Sequence, residues 1–175
     1  MPVADDGFAD ELWPALLKRL SSLYEFIVID TSHNFSNIAI YMLNAAERIY
    51  MMMAPDMVSI RAAINTLQIY NKLGYSPEKI SIVLNQTLSM GAIKQQQIEK
   101  VLKMPIRYSI PHAPSEFIRA INFGKPILTA SPDALVTALF EDIAYETSKE
   151  TLKNIPPAAP SPTWKRVSGR FATKK

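Results

Sequence analysis

The chain has 175 residues, 48% of them apolar, enough for one buried core, and its lack of cysteine excludes disulfide frameworks, zinc–thiolate centres and thiol catalysis. Its net charge of +3 is unevenly spread: residues 151–175 hold six of the nineteen Lys and Arg and no Asp or Glu, which leaves residues 1–150 at −3. The basic character therefore belongs to the tail and argues poorly for a nucleic-acid-binding core. No apolar run approaches the about eighteen residues of a membrane span, and the acidic opening MPVADDGFADELW is unlike a secretory leader, so the expected compartment is the cytoplasm.

In chain order, residues 8–22 place Leu12, Leu16, Leu17 and Leu20 on one face at helical spacing, although Pro14 suits only a first turn. EFIVID, residues 25–30, is a short continuous apolar run that predicts a strand buried on both faces. Residues 34–46 return to helical periodicity with Asn34 or Ser36 as caps, and RIYMMMA is a second apolar run. The clearest amphipathic helix covers residues 57–73, with Gly74 where a helix C-terminus favours glycine. KISIVLN is the third run, residues 93–103 read as a helix, and MPIRYSIP is the fourth run, closed by Pro111. Helices over 114–123 and 132–150 complete the series. Strand-like runs separated by helices predict an α/β fold, a parallel sheet with helices on both faces. Residues 1–150 are thus expected to form the domain, and the proline-rich IPPAAPSPTW and the basic end, residues 151–175, a disordered linker and tail.

Ligands of open parallel sheets bind beyond the carboxyl ends of the strands, where loops and helix N-termini converge. Those ends carry Asp30-Thr31-Ser32-His33, Ala54-Pro55-Asp56, Asn85-Gln86 and Pro111-His112. A carboxylate at a strand end can hold a magnesium-bound water, and it can equally cap the next helix. Asn85 suits an adenine edge because an amide both donates and accepts, and it equally suits a strand-end turn. His33 and His112 read by themselves as exposed loop histidines.

The combination is more specific. FIVIDTSHNFS, AAERIYMMMAPD, SIRAA, LGYSPEKISIVLNQ and IEKVLKMPIRYSIPHAPSEFIRAINFGKPI resemble, in order and spacing over roughly residues 8–148, what MinD/ParA-type P-loop ATPases carry from their Walker B strand onward. LGYSPEKISIVLNQ and the closing IP…AINFGKP are most similar to the CpaE/TadZ pilus-assembly branch. The resemblance implies an ATP- and Mg2+-binding ATPase that positions assemblies, forms homodimers and serves pilus or secretion partners, peripheral to the inner face of the membrane. It implies Asp30 as the Walker B carboxylate serving magnesium, Thr31 beside the γ-phosphate, Asn85 on the purine edge, and Pro111 with His112 on the adenine-side wall. His33 stands where relatives often have proline.

A P-loop needs G-x-x-x-x-G-K-[ST], because the backbone N–H groups of a glycine-rich turn wrap the phosphates. None occurs here, and the single Gly-Lys pair, Gly124-Lys125, precedes a proline. The expectation is the C-terminal part of a longer ATPase, inactive alone, with an incomplete P-loop NTPase-like sheet that lacks the Walker A strand and loop. In the family that strand lies between the Walker B strand and the next strand in sequence. Its absence predicts exposed edges at residues 25–30 and 48–53 and marginal stability. The alternative is a non-catalytic interaction module, a degenerate ATPase fold using Met51-Met52-Met53 or the helix over 57–73. In the tail, Trp164, Val167 and Phe171 fall at helical spacing with Lys165, Arg166, Arg170, Lys174 and Lys175 around them. That pattern suits a helix lying on anionic lipid and equally a solvated tail; a nucleic-acid partner is disfavoured.

Overall fold

The computed structural model describes residues 8–31, 33–87 and 91–172. They fall into two compact units, Met1–Ile49 and Tyr50–Lys175.

In the first unit, helix α1 (Phe8–Leu23) starts early enough to carry Pro14 inside it rather than in its first turn. Proline there removes one i→i−4 bond, a cost that the rest of the helix absorbs. Helix α2 (Asn37–Ala45) begins at Ser36, whose hydroxyl oxygen accepts from the Ala39 N–H at 3.3 Å, so Ser36 rather than Asn34 is the cap. Between the helices the predicted strand over residues 25–30 is not formed: the segment has no regular structure and its apolar side chains are exposed, Val28 at 95%. An apolar run becomes a strand only when a neighbour pairs its N–H and C=O groups, and the sheet formed by the described residues does not take in this run.

Strand β1 (Ile49–Met53), all but its first residue in the second unit, leads to α3 (Met57–Lys72). Asp56 caps that helix, its carboxylate accepting from the Ser59 N–H at 2.8 Å and hydroxyl at 2.9 Å. Gly74 follows the helix with φ +79°, the left-handed turn that favours glycine. Then come β2 (Ile80–Asn85), α4 (Gln95–Leu102), β3 (Ile106–Ile110), α5 (Pro114–Asn122), the short α6 (Ile127–Ala130) and α7 (Leu135–Thr147). The sheet order is β1-β2-β3, and β2 pairs β3 in parallel, with Ile82 opposite Ile106 and Asn85 opposite Ile110. Central β2 is the most buried strand, as a parallel strand with neighbours on both edges should be: Ile82, Val83 and Leu84 are no more than 3% exposed. Val83, Tyr108, Ile110 and Val136 form one core cluster, with Phe117, Ile127, Phe140 and Ile143 packed against it from α5, α6 and α7.

Beyond the short helix α8 (Glu150–Asn154) and an exposed proline-rich connection, residues expected to be disordered form a further helix, α9 (Pro162–Ala172). It docks on α7. Val167 is buried, Phe171 stacks on Tyr145 with ring centroids 4.5 Å apart, and the buried carboxylate of Glu141 accepts from both Arg166 and Arg170. Arg170 also donates to Asp142 at 2.8 Å. Tail composition alone could not announce this, because the group that captures the arginines lies on α7. Lys174 and Lys175 lie outside the described residues.

Two outcomes follow from this packing. Val28→Lys should leave the unfolding free energy within about 0.5 kcal/mol of the parent while reducing aggregation, because the side chain already faces water. Urea denaturation with sedimentation checks this, and a larger loss of stability would place Val28 in a packed site. Glu141→Ala strips both arginines of their buried partner; since each is 30% exposed and can rehydrate, the expected cost is about 2 kcal/mol, below that of a fully buried broken pair. Unchanged stability, with α9 amides no faster in hydrogen exchange, would refute the clasp.

Candidate functional site

The parallel pairing of β2 with β3 brings the ends of two strands together. Past the last register pair, the Gln86 N–H donates to the Ile110 carbonyl at 3.0 Å, so the ladder runs one residue beyond β2. The Gln86 side-chain amide donates to the Ser109 hydroxyl at 3.1 Å, and the backbone carbonyl oxygen of Gln86 lies 3.1 Å from His112 Nδ1. Asn85, Pro111 and His112 are therefore assembled at one place by backbone geometry. Asn85 and Pro111 are half-buried, His112 is exposed, and among the described residues the Asn85 amide has no hydrogen-bond partner. Such an amide, with both a donor and an acceptor unspent, can engage the edge of a heterocyclic base. Gln86, named in the sequence only as the strand-end neighbour of Asn85, was given no role there. Its signal was its place directly after Asn85, in register with the chain leading to Pro111.

The end of β1 has a structural part to play. Pro55 is fully buried and its carbonyl accepts from the Ile93 N–H at 3.0 Å. Asp56 is committed to capping α3: the Ser59 backbone N–H first, then the Ser59 hydroxyl, hold its carboxyl below the ordinary aspartate value.

Asp30 and Thr31 lie in the first unit, exposed, in the segment without regular structure; His33 is likewise exposed, and Ser32 lies outside the described residues. Among the described residues no three His, Asp or Glu side chains converge to hold a metal. Asp30 could contribute one carboxylate to a magnesium ion that phosphates also ligate, the usual arrangement for this cation. Asn85, Pro111 and His112 thus offer the chemistry a nucleotide base would need, and the sequence holds no glycine-rich turn for its phosphates.

Of the residues assigned to a lipid-facing tail, Lys165 is exposed, Trp164 is half-buried, and Arg166, Val167, Arg170 and Phe171 are engaged by α7. For Arg170 burial alone would lower the pKa, but the bonds to Glu141 and Asp142 and their charges outweigh it and raise the value. No described helix is long and apolar enough to cross a membrane.

No family model matches the chain. It is 24% identical over 131 residues, 74% of its length, to an uncharacterized ATP-binding protein of Methanocaldococcus jannaschii, 48% of which is covered. Among solved structures it is similar to a ParA family ATPase from Chlorobium tepidum, with a TM-score of 0.67 at 20% identity, over 79% of this chain and 58% of that one. It is similar also to the septum site-determining protein MinD of Pyrococcus horikoshii, solved with Mg-ADP, with a TM-score of 0.66 at 20% identity, over 81% of this chain and 58% of that one. The chain spans about half the length of the curated relative it matches. Its fold is the α/β, parallel-sheet fold of ParA- and MinD-type P-loop NTPases, over somewhat more than half of those structures.

Proposed function

We propose that this chain is the C-terminal, base-recognising portion of a MinD/ParA-type ATPase that positions other assemblies, and that it binds ATP with Mg2+ only when a P-loop segment completes the site. The observation that carries this reading is the joint placement of Asn85, Pro111 and His112 at the paired ends of β2 and β3, in a fold similar to that of a Mg-ADP-bound MinD. Asn85 takes the purine edge, Pro111 and His112 wall the base, Asp30 serves the magnesium ion and Thr31 stands beside the γ-phosphate. The phosphates themselves require a glycine-rich turn absent from these 175 residues, so the chain by itself neither binds ATP with Mg2+ nor hydrolyses it. A segment bearing that turn would also offer β1's outer edge a strand to pair with. Full-length dimers, and work in pilus or secretion assembly as in the CpaE/TadZ branch, belong to the same reading and rest on the LGYSPEKISIVLNQ and AINFGKP segments. Contact of α9 with anionic lipid is part of it too, with a condition set by packing: Arg166, Val167, Arg170 and Phe171 must first leave α7.

Binding of a fluorescent ATP analogue with Mg2+, measured on the chain alone and after mixing with a separately made P-loop segment, tests the proposal. Binding is expected in the mixture alone, reduced at least about tenfold by Asp30→Ala through loss of the metal's carboxylate. No binding in either sample, with the chain folded throughout, would sink the ATPase reading and leave a non-catalytic interaction module.

A further inference from the structure

Helix α9 is joined to α8 by residues 155–160, IPPAAP, of which Ile155 to Ala159 are exposed. Ser161 then caps α9, its hydroxyl oxygen accepting from the Trp164 N–H at 3.1 Å. To bring α9 back onto α7 the connection bends at Ala158 and Ala159. Ile155, Pro156 and Ala159 each precede a proline, a position that favours extended backbone, and the prolines themselves have no N–H to fix a turn. Among the described residues no hydrogen bond holds residues 156–160 in that bend. Straightened, six residues at about 3.1 Å each would span roughly 19 Å and carry α9 away from its own α7.

From this we infer that two copies of the chain exchange α9, each helix docking on the α7 of the other copy through the Glu141 clasp. Glu141 is 2% exposed, and Arg166 and Arg170 both donate to it. An event that removes α9 leaves this carboxylate buried without a cation unless the same event delivers another α9. Reciprocal exchange does so. Every α7 that loses a helix receives an identical one, and Arg166, Val167, Arg170 and Phe171 regain the contacts they had. The closed and exchanged forms then differ in two respects. Exchange straightens the connection, which its prolines favour, and it gives up the nearness of α9 to its own α7. A short flexible linker supplies an effective concentration on the order of 1 mM, and resistance to bending lowers it, so the exchanged dimer is expected at about 0.1–1 mM protein. No nucleotide enters, and the inference is independent of the ATPase reading.

Sedimentation of the full chain without nucleotide, from about 0.01 to about 1 mM, should show a dimer growing in over the upper part of that range. Ala158→Pro stiffens an exposed position of the connection and should lower the dimer dissociation constant about two- to fivefold; Pro157→Gly with Pro160→Gly should raise it by a similar factor. Neither change touches the clasp. A mixture of two variants decides whether α9 docks on another copy. Glu141→Ala keeps α9 intact but has lost the carboxylate, whereas Arg166→Ala with Arg170→Ala keeps the carboxylate but has lost its donors. Each alone should stay monomeric with rapidly exchanging α9 amides. Mixed at about 1 mM, the α9 amides of the Glu141→Ala chain should regain protection, because the other variant offers them an intact α7. A parent chain monomeric throughout the range, a dimer that Glu141→Ala leaves unchanged, or a mixture in which those amides stay unprotected would overturn the inference.

Discussion

Backbone pairing between β2 and β3 is the constraint on which the rest of the second unit depends. A parallel strand between two neighbours spends all its N–H and C=O groups on them and buries side chains on both faces, which is why Ile82, Val83 and Leu84 lose nearly all contact with water. The same pairing, continued by one bond from Gln86 to Ile110, sets Asn85, Pro111 and His112 side by side. The candidate site is therefore a by-product of register: a shift of one residue would turn the Asn85 side chain to the other face and break the match of Gln86 with Ser109 and His112.

Residues 25–30 show the reverse case. EFIVID is as apolar and as strand-like as KISIVLN, yet one is exposed and irregular and the other is the centre of the sheet. Composition states what a segment could bury; whether it does so depends on a neighbour elsewhere in the chain, or in another chain. This explains much of what the sequence could and could not disclose. β1, β2 and β3 were legible because their runs are short, apolar and bounded by turn signals, and α3 was legible because Asp56 and Gly74 mark its two ends. The strand at 25–30 was misread because pairing is not a local property.

The site was legible to a similar extent and for a similar reason. Asn85 and Pro111 could be placed because strand ends in a parallel sheet converge at one edge, and that edge is given by element order. Gln86 could be placed there too, but its role could not be read, since it lies in three bonds to residues 23 to 26 positions away, none with a local sequence signature. His112 looked like an ordinary loop histidine for want of that same long-range carbonyl. The likeness to MinD/ParA-type ATPases foresaw the α/β parallel-sheet class, and the solved ParA and MinD structures share it.

The tail carries the same lesson into energetics. An amphipathic helix with aromatic residues on one side and cations around them has one composition whether it docks on lipid or on protein. Here the decision falls to Glu141. A carboxylate 2% exposed is costly to bury unless cations reach it, and Arg166 and Arg170, four residues apart on one face of α9, both do. Each partner thus relieves the other's desolvation, and Val167 and Phe171 gain a packed surface in the same step. Any surface that takes α9 away must replace both carboxylate bonds and also outweigh leaving Glu141 buried and alone or letting water in to it. A few lipid phosphates could repay the arginines at about 1 kcal/mol each, but nothing in that exchange repays Glu141. The docking of α9 on α7 thus rests on one carboxylate shared by two arginines as much as on the apolar contacts beside it.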